Sequence, residues 1–160
     1  MKNVLFVCTG NSARSVIAEG LLNHLGAGRF RAFSAGSQPT GRVNPFALST
    51  LASLGITTEG YRSKSWDEFG APDGPALTFV FTVCDNAAGE VCPFWPGQPI
   101  SAHWGAPDPA AVVGSDDDKA RAFMAVALTL KRRIELMLAL PAASLDAIGI
   151  ARELRDIGTQ

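Results

Sequence analysis

Three cysteines, one arginine and one aspartate carry the chemistry that this sequence suggests. Cys8 and Arg14 enclose five residues, Thr9-Gly10-Asn11-Ser12-Ala13, and Ser15 follows directly. The thiolate is the reactive form of cysteine, and it is favoured where a strand gives way to a helix, because the helix dipole and the loop's N–H groups point at it. The N–H groups of a loop running from Thr9 through Gly10, Asn11, Ser12 and Ala13 to Arg14 can also hold a tetrahedral oxyanion. Gly10 and Asn11 tolerate the positive φ that such a nest requires. Arg14 offers a planar fork to two anion oxygens, and the Ser15 hydroxyl is placed to donate to the Cys8 sulfur. The loop lacks the G-K-[ST] of a Walker A motif and the G-x-G-x-x-G of a dinucleotide site. A Cys-to-Arg spacing of this kind is common by chance. Its weight comes from its position after the first strand and at the head of a helix; the bland alternative is a buried cysteine beside a surface arginine.

Cys84 and Cys92 are separated by Asp85-Asn86-Ala87-Ala88-Gly89-Glu90-Val91, mostly small or polar residues. Such a segment unwinds at low cost and lets two thiols reach disulfide geometry. Three cysteines are an odd number, so a purely structural disulfide framework leaves one over. The apolar run at the amino terminus, Val4 to Val7, is too short for an export signal, so the expectation is a cytoplasmic protein with reduced thiols. A zinc site built on Cys84, Cys92 and His103 is an alternative, but no CxxC spacing and no evident fourth ligand support it. Asp108-Pro109, taken alone, is a turn initiator.

These groups need elements to position them. Val4-Leu5-Phe6-Val7 reads as a strand covered on both faces. A helix is predicted from about Ala13, with Ile17, Leu21 and Leu25 on one face and Gly26 as its stop. Arg31 to Ala35 forms a weaker strand closed by Gly36. Asn44 caps a helix that opens on Pro45, carries Ala47, Leu48, Leu51 and Leu54, and ends at Gly55. Residues 60–75 are loop or short helix, and Leu77 to Val83 is the strongest strand signal. Between Asp85 and Pro109 stand Pro93, Pro96, Pro99, Pro107 and Pro109, with room for a short strand near Ile100–His103; loops this long are usually functional. Ser115 caps a helix with Asp116, Asp117 and Asp118 in its first turn and Phe123, Ala127, Leu130, Ile134 and Met137 down one face. A last helix is predicted from Leu145 to about Asp156. Strands alternating with helices imply a parallel sheet covered on both faces, whose ligands bind beyond the carboxyl ends of the strands. Cys8, Cys84 and the loop reaching Asp108 all fall at that edge.

The chain has 160 residues, 47% hydrophobic and 18% charged, with a formal net charge of −1. That suits one folded domain spanning 1–160 and gives no reason to propose nucleic acid or a membrane as partner. Any anion must be held locally.

Val7-Cys8-Thr9-Gly10-Asn11-Ser12-Ala13-Arg14-Ser15 resembles the signature of the low molecular weight protein tyrosine phosphatases and of the arsenate reductases that share their fold. The likeness continues through Ser34-Ala35-Gly36, Ser63-Lys64-Ser65, the cysteine after the central strand, and Asp108-Pro109. It departs at Ala13, where family members commonly carry another cysteine, and at Ala110-Ala111, where the phosphatases usually carry paired tyrosines. The resemblance implies a three-layer α/β fold, a four-stranded parallel sheet with helices on both faces. It implies Cys8 as nucleophile, Arg14 and Ser15 as its supports, and Asp108 as general acid. For a reductase it further implies a relay. Cys8 attacks arsenate, Cys84 attacks the Cys8 sulfur, Cys92 takes the disulfide from Cys84, and thioredoxin re-reduces the protein. Glutaredoxin or mycoredoxin with a small thiol is the other reductant left open; no bound cofactor and no metal are implied. Missing tyrosines remove the walls for a phosphotyrosine ring and favour arsenate over a phosphatase reading. A non-enzymatic thiol switch would not need a general acid. Asn11, Glu19 and Ser34 resemble positions that bind potassium in some family reductases, although their aspartate partner near Ser65 is not evident.

Overall fold

The structure is a computed structural model that describes residues 1–84, 95, 97–146 and 148–160. Its centre is a four-stranded, wholly parallel sheet in the order β2-β1-β3-β4, built from β1 (Lys2–Cys8), β2 (Phe30–Gly36), β3 (Phe79–Thr82) and β4 (Ile100–His103). β1 lies inside the sheet, and Val4, Leu5, Phe6 and Val7 are essentially without solvent exposure. That is why they read as an unbroken apolar run rather than an alternation.

Alternation along β2 shows the two faces. Ser34 meets Glu19 of α1 (Arg14–Leu25), whereas the Phe33 ring packs 5.5 Å from Phe69 of α3 (Asp67–Gly70). Phe6, Ser34 and Phe81 share one register row and therefore one face. On that face Phe81 stacks 3.8 Å from Trp104, whose indole N–H donates to Leu154 O of the last helix, α5 (Ile150–Ile157). The long helix α4 (Asp116–Leu138) packs against α1, and α2 (Pro45–Ser53) against both.

Local chemistry accounts for most of these boundaries. Asn44 accepts from Phe46 N and Pro45 opens α2. Ser115 and Asp118 form a reciprocal capping box at the start of α4. Two predicted boundaries shift. The third strand is shorter than Leu77–Val83, because only Phe79–Thr82 pairs regularly. The last helix does not begin at Leu145: a 3-10 turn covers Ala142–Asp146, and the α-helix starts after Gly149, a residue with a low helix propensity. Among the described residues no helix is long and apolar enough to cross a membrane.

Candidate active site

Register sets the two described cysteines side by side. Val7 pairs with Thr82, and Val83 N donates to Val7 O at 2.9 Å, so the residues that follow each strand emerge together at the carboxyl edge. Thr9 N donates to Cys84 Sγ at 3.3 Å, and the Thr9 hydroxyl lies 3.5 Å from the same sulfur. Cys8 and Cys84 are both buried, with no disulfide between them.

From Cys8 to Arg14 the chain turns its carbonyls outward. Cys8 O, Thr9 O, Gly10 O and Ser12 O accept from the backbone N–H groups of Ser37, Gln38, Thr40 and Asn44 respectively, at 2.9–3.3 Å. The Ser63 hydroxyl also donates to Gly10 O, at 3.0 Å. Among the described residues nothing accepts from the N–H groups of Gly10, Asn11, Ser12, Ala13 or Arg14. Carbonyls tied outward leave the N–H groups facing the opposite way, which is the arrangement of an anion nest at a helix N-terminus. Ala13 stands at the N-cap of α1 and supplies no side-chain cap, so the dipole's positive end is open to the loop.

Asn11 holds this shape. Its φ of 46° is left-handed, a conformation Asn takes more readily than most residues. The fully buried side chain donates to Ser15 Oγ at 2.9 Å and accepts from Lys64 N at 2.9 Å. Ser15 Oγ is thereby fixed as Asn11's acceptor, which leaves the rotatable O–H of Ser15 as a separate donor. Gly36 is required beside the loop, since a Cβ there would lie 2.5 Å from Thr9 O and 3.0 Å from Asn11 N.

Arg14 reaches across to the acid loop. Nη1 donates to Ala106 O at 2.9 Å, and Nη2 lies 4.0 Å from Asp108 Oδ2. Asp108 uses its other oxygen to accept from Ala110 N at 3.0 Å, capping a 3-10 turn over Pro109–Ala111. Thr9, Gly10, Asn11, Ser12, Ala13 and Arg14 thus lie at the carboxyl edge of the sheet with Cys8, Cys84 and Asp108. Cys92 lies outside the described residues.

The Cys8 thiol is held far above the ordinary thiol range. Its hydrogen bond with the Cys84 thiol is the largest cause and burial the next; the Arg14 charge and the Thr9 N–H act in the opposite direction. Behind the loop, the Ser34 hydroxyl donates to the Glu19 carboxylate at 2.5 Å. Burial raises the Glu19 pKa, while the Ser34 bond and the charges of Lys64 and Arg62 lower it. Lys64 is itself buried. Asn11 is hydrogen-bonded to Ser15 and Lys64 and Ser34 to Glu19, and the positive charges felt by Glu19 are those of Lys64 and Arg62.

The family model described as low molecular weight phosphotyrosine protein phosphatase matches residues 3–147. The chain belongs to that family. Within the low molecular weight phosphatase family it is similar to the glutaredoxin arsenate reductase of Synechocystis sp., 33% identical over 87% of this chain and 98% of that protein. Among solved structures it is similar to an arsenate reductase in the phosphate binding state, at 31% identity and a TM-score of 0.67, over 87% of this chain and 98% of that one. A thioredoxin-dependent arsenate reductase of Corynebacterium glutamicum aligns with a TM-score of 0.58 at 26% identity, covering 86% of this chain and 63% of that one. The family fold, a parallel sheet ending in this loop, is the one the sequence led us to expect.

Two features of the site were not legible in the sequence. The Ala106 carbonyl that receives Arg14 is backbone, which has no residue signature. Lys64 sits in a segment that carried the family likeness, yet nothing in its type showed that its N–H would fix Asn11.

Proposed function

We propose that this protein reduces arsenate to arsenite, using Cys8, Cys84 and Cys92 in sequence. The observation that carries the reading is the placement of Cys84 against the residue that follows Cys8, with Thr9 N donating to the Cys84 sulfur at 3.3 Å and the Thr9 hydroxyl 3.5 Å from it. A hydrolytic phosphatase has no use for a second thiol there, whereas a reductase needs one within reach of the first. The names of the relatives support the same substrate.

In this mechanism arsenate enters the nest of N–H groups from Gly10 to Arg14, with the Arg14 fork on two of its oxygens. Cys8 Sγ attacks arsenic and its proton passes to an arsenate oxygen. Asp108, facing Arg14, protonates the departing oxygen, which leaves as water. The Cys84 thiolate then attacks Cys8 Sγ. The S–As bond breaks with its electron pair moving to arsenic, arsenite leaves, and a Cys8–Cys84 disulfide remains. Arsenic gains two electrons and two thiols lose them. Cys92 attacks Cys84, freeing Cys8 and forming a Cys84–Cys92 disulfide. An external dithiol reductant reduces that disulfide to two thiols and is itself oxidised; thioredoxin is the one we favour, with glutaredoxin or mycoredoxin and a small thiol as the other arm. The setting we propose is the cytoplasm, where thiols stay reduced, with residues 1–160 acting as one domain.

Ala110 and Ala111 supply no aromatic wall for a phosphotyrosine ring, so phosphatase activity is expected only as a weak side reaction. The test is NADPH consumption with arsenate in the thioredoxin and the glutaredoxin systems, set beside phosphotyrosine hydrolysis. Failure in both systems together with brisk phosphotyrosine hydrolysis contradicts the proposal.

A further inference from the structure

Arg133 is the one charged residue on the buried face of α4, among Phe123, Val126, Ala127, Leu130, Ile134 and Met137. It is 7% exposed. Burying a guanidinium is costly unless its donors are satisfied. Its contacts show what the charge does. Nη1 donates to Trp104 O at 2.9 Å and to Gly105 O at 2.7 Å, and Nη2 donates to Gln160 O at 3.3 Å. Nε is buried with no partner among the described residues. Burial lowers the guanidinium's pKa from its usual value.

The next carbonyl in the chain, Ala106 O, receives Arg14 Nη1. Two arginines therefore grip three consecutive carbonyls, Arg133 at Trp104 and Gly105 and Arg14 at Ala106. This stretch joins β4 to Asp108. It is also pinned to β3, because Trp104 N donates to Thr82 O at 2.7 Å and Ala106 N to Val83 O at 3.2 Å. Below it, Gly158 packs so closely that a Cβ there would lie 2.2 Å from His103 O.

We propose that Arg133 is a positioning residue for the acid loop: by fixing the Trp104 and Gly105 carbonyls it sets where Ala106 meets Arg14 and where the Asp108 carboxylate stands over the oxyanion loop. This rests on Asp108 being the general acid, as assigned above. Displacement of a catalytic group by about 1 Å costs up to about a hundredfold in rate, so loss of Arg133 acts through Asp108 without touching Cys8.

The test is a double-mutant cycle on the full chain, pairing Arg133→Met with Asp108→Asn. Three rates are read: single-turnover oxidation by arsenate, para-nitrophenyl phosphate hydrolysis, and alkylation of Cys8 by iodoacetamide. Arg133→Met is expected to slow both catalytic rates about tenfold, to slow them less than twofold when Asp108 is already Asn, and to leave alkylation within twofold. Arg133→Lys, which keeps a donor for the carbonyls, is expected to recover most of the loss. Should Arg133→Met fail to fold, the Arg133→Lys cycle carries the test, with about a threefold loss that disappears in the Asp108→Asn background. An equal loss in both backgrounds, a parallel fall in alkylation, or a wild-type rate in Arg133→Met overturns the proposal. Phosphate ester hydrolysis needs no arsenate reduction, so a failed reductase reading is seen separately. Absence of both activities removes the acid and the proposal with it.

Discussion

Removing Cys84 makes Cys8 more acidic, and the size of the effect follows from the site. The thiol–thiol hydrogen bond is the largest cause holding the Cys8 pKa up, and burial is the second. Cys84→Ala deletes the first, opens a small space that eases the second, and frees the Thr9 N–H from the Cys84 sulfur it now approaches at 3.3 Å. All three changes favour the thiolate. A net hydrogen bond is worth about 0.5–1.5 kcal/mol, and one pKa unit corresponds to about 1.36 kcal/mol, so the expected fall is roughly one unit. At a fixed pH below both values the thiolate fraction rises about tenfold. A less basic thiolate is also less nucleophilic, with a Brønsted slope of about 0.4–0.5, which returns roughly a factor of three. The net expectation is alkylation of Cys8 about threefold faster near neutral pH. The assay is iodoacetamide alkylation followed by intact mass from pH 6 to 10, in a Cys92→Ser background so that Cys8 alone is read. An alkylation rate of Cys8 that is unchanged or slower in Cys84→Ala across that range refutes the assignment of Cys84 as the group that holds Cys8 protonated.

Other perturbations probe the scaffold of the loop. Gly36→Ala places a methyl 2.5 Å from Thr9 O; inorganic phosphate binding measured by calorimetry is expected to weaken at least tenfold, and affinity within twofold of wild type would show that the loop tolerates the shift. Asn11→Ala leaves Lys64 N without its acceptor and puts alanine at a φ of 46°; a loss of about 1–3 kcal/mol is expected in urea unfolding, and a loss under 0.5 kcal/mol would count against Asn11 as the hub. Glu19 has a raised pKa in the folded state, chiefly from burial. Below its unfolded value of 4.5 the native and unfolded states are both protonated, and as pH rises through the folded value the native state loses stability relative to one lacking the group. The urea midpoint of the wild type minus that of Glu19→Gln should therefore fall as pH rises from 4.5 toward neutrality; a difference that rises would reverse the sign of the burial effect.

Much of the site was legible because its parts are short-range. A strand, a Gly-Asn turn and a helix lie within residues 4–25, so the Cys8 to Arg14 loop needed no tertiary information to be recognised. Cys84 needed only the position of β3, and a strand of that composition is hard to misread. What stayed hidden depends on backbone atoms or on distant packing. Ala106 O and the outward carbonyls of the loop have no residue signature. Arg133 sits on the apolar stripe of α4, at a spacing where the pattern asks for an apolar residue, and its purpose shows only once the carbonyls of Trp104 and Gly105 are seen beneath the acid loop. The acceptor role of Ser15 Oγ toward Asn11 was also hidden, because it depends on the left-handed turn of Asn11. The last helix was begun too early because Leu145 continues an apolar pattern that the 3-10 turn and Gly149 interrupt.

The proposed relay turns on one event, attack of Cys84 on the Cys8 sulfur of the arseno-adduct, which releases arsenite and leaves a Cys8–Cys84 disulfide. It is tested most directly by mixing fully reduced Cys92→Ser protein with stoichiometric arsenate and no external reductant, then mapping disulfides by peptide mass while counting released arsenite. The account predicts one arsenite per chain and a trapped Cys8–Cys84 disulfide. Arsenite release with Cys84 still a thiol, or no oxidation of either cysteine while phosphate esters are hydrolysed, would contradict it.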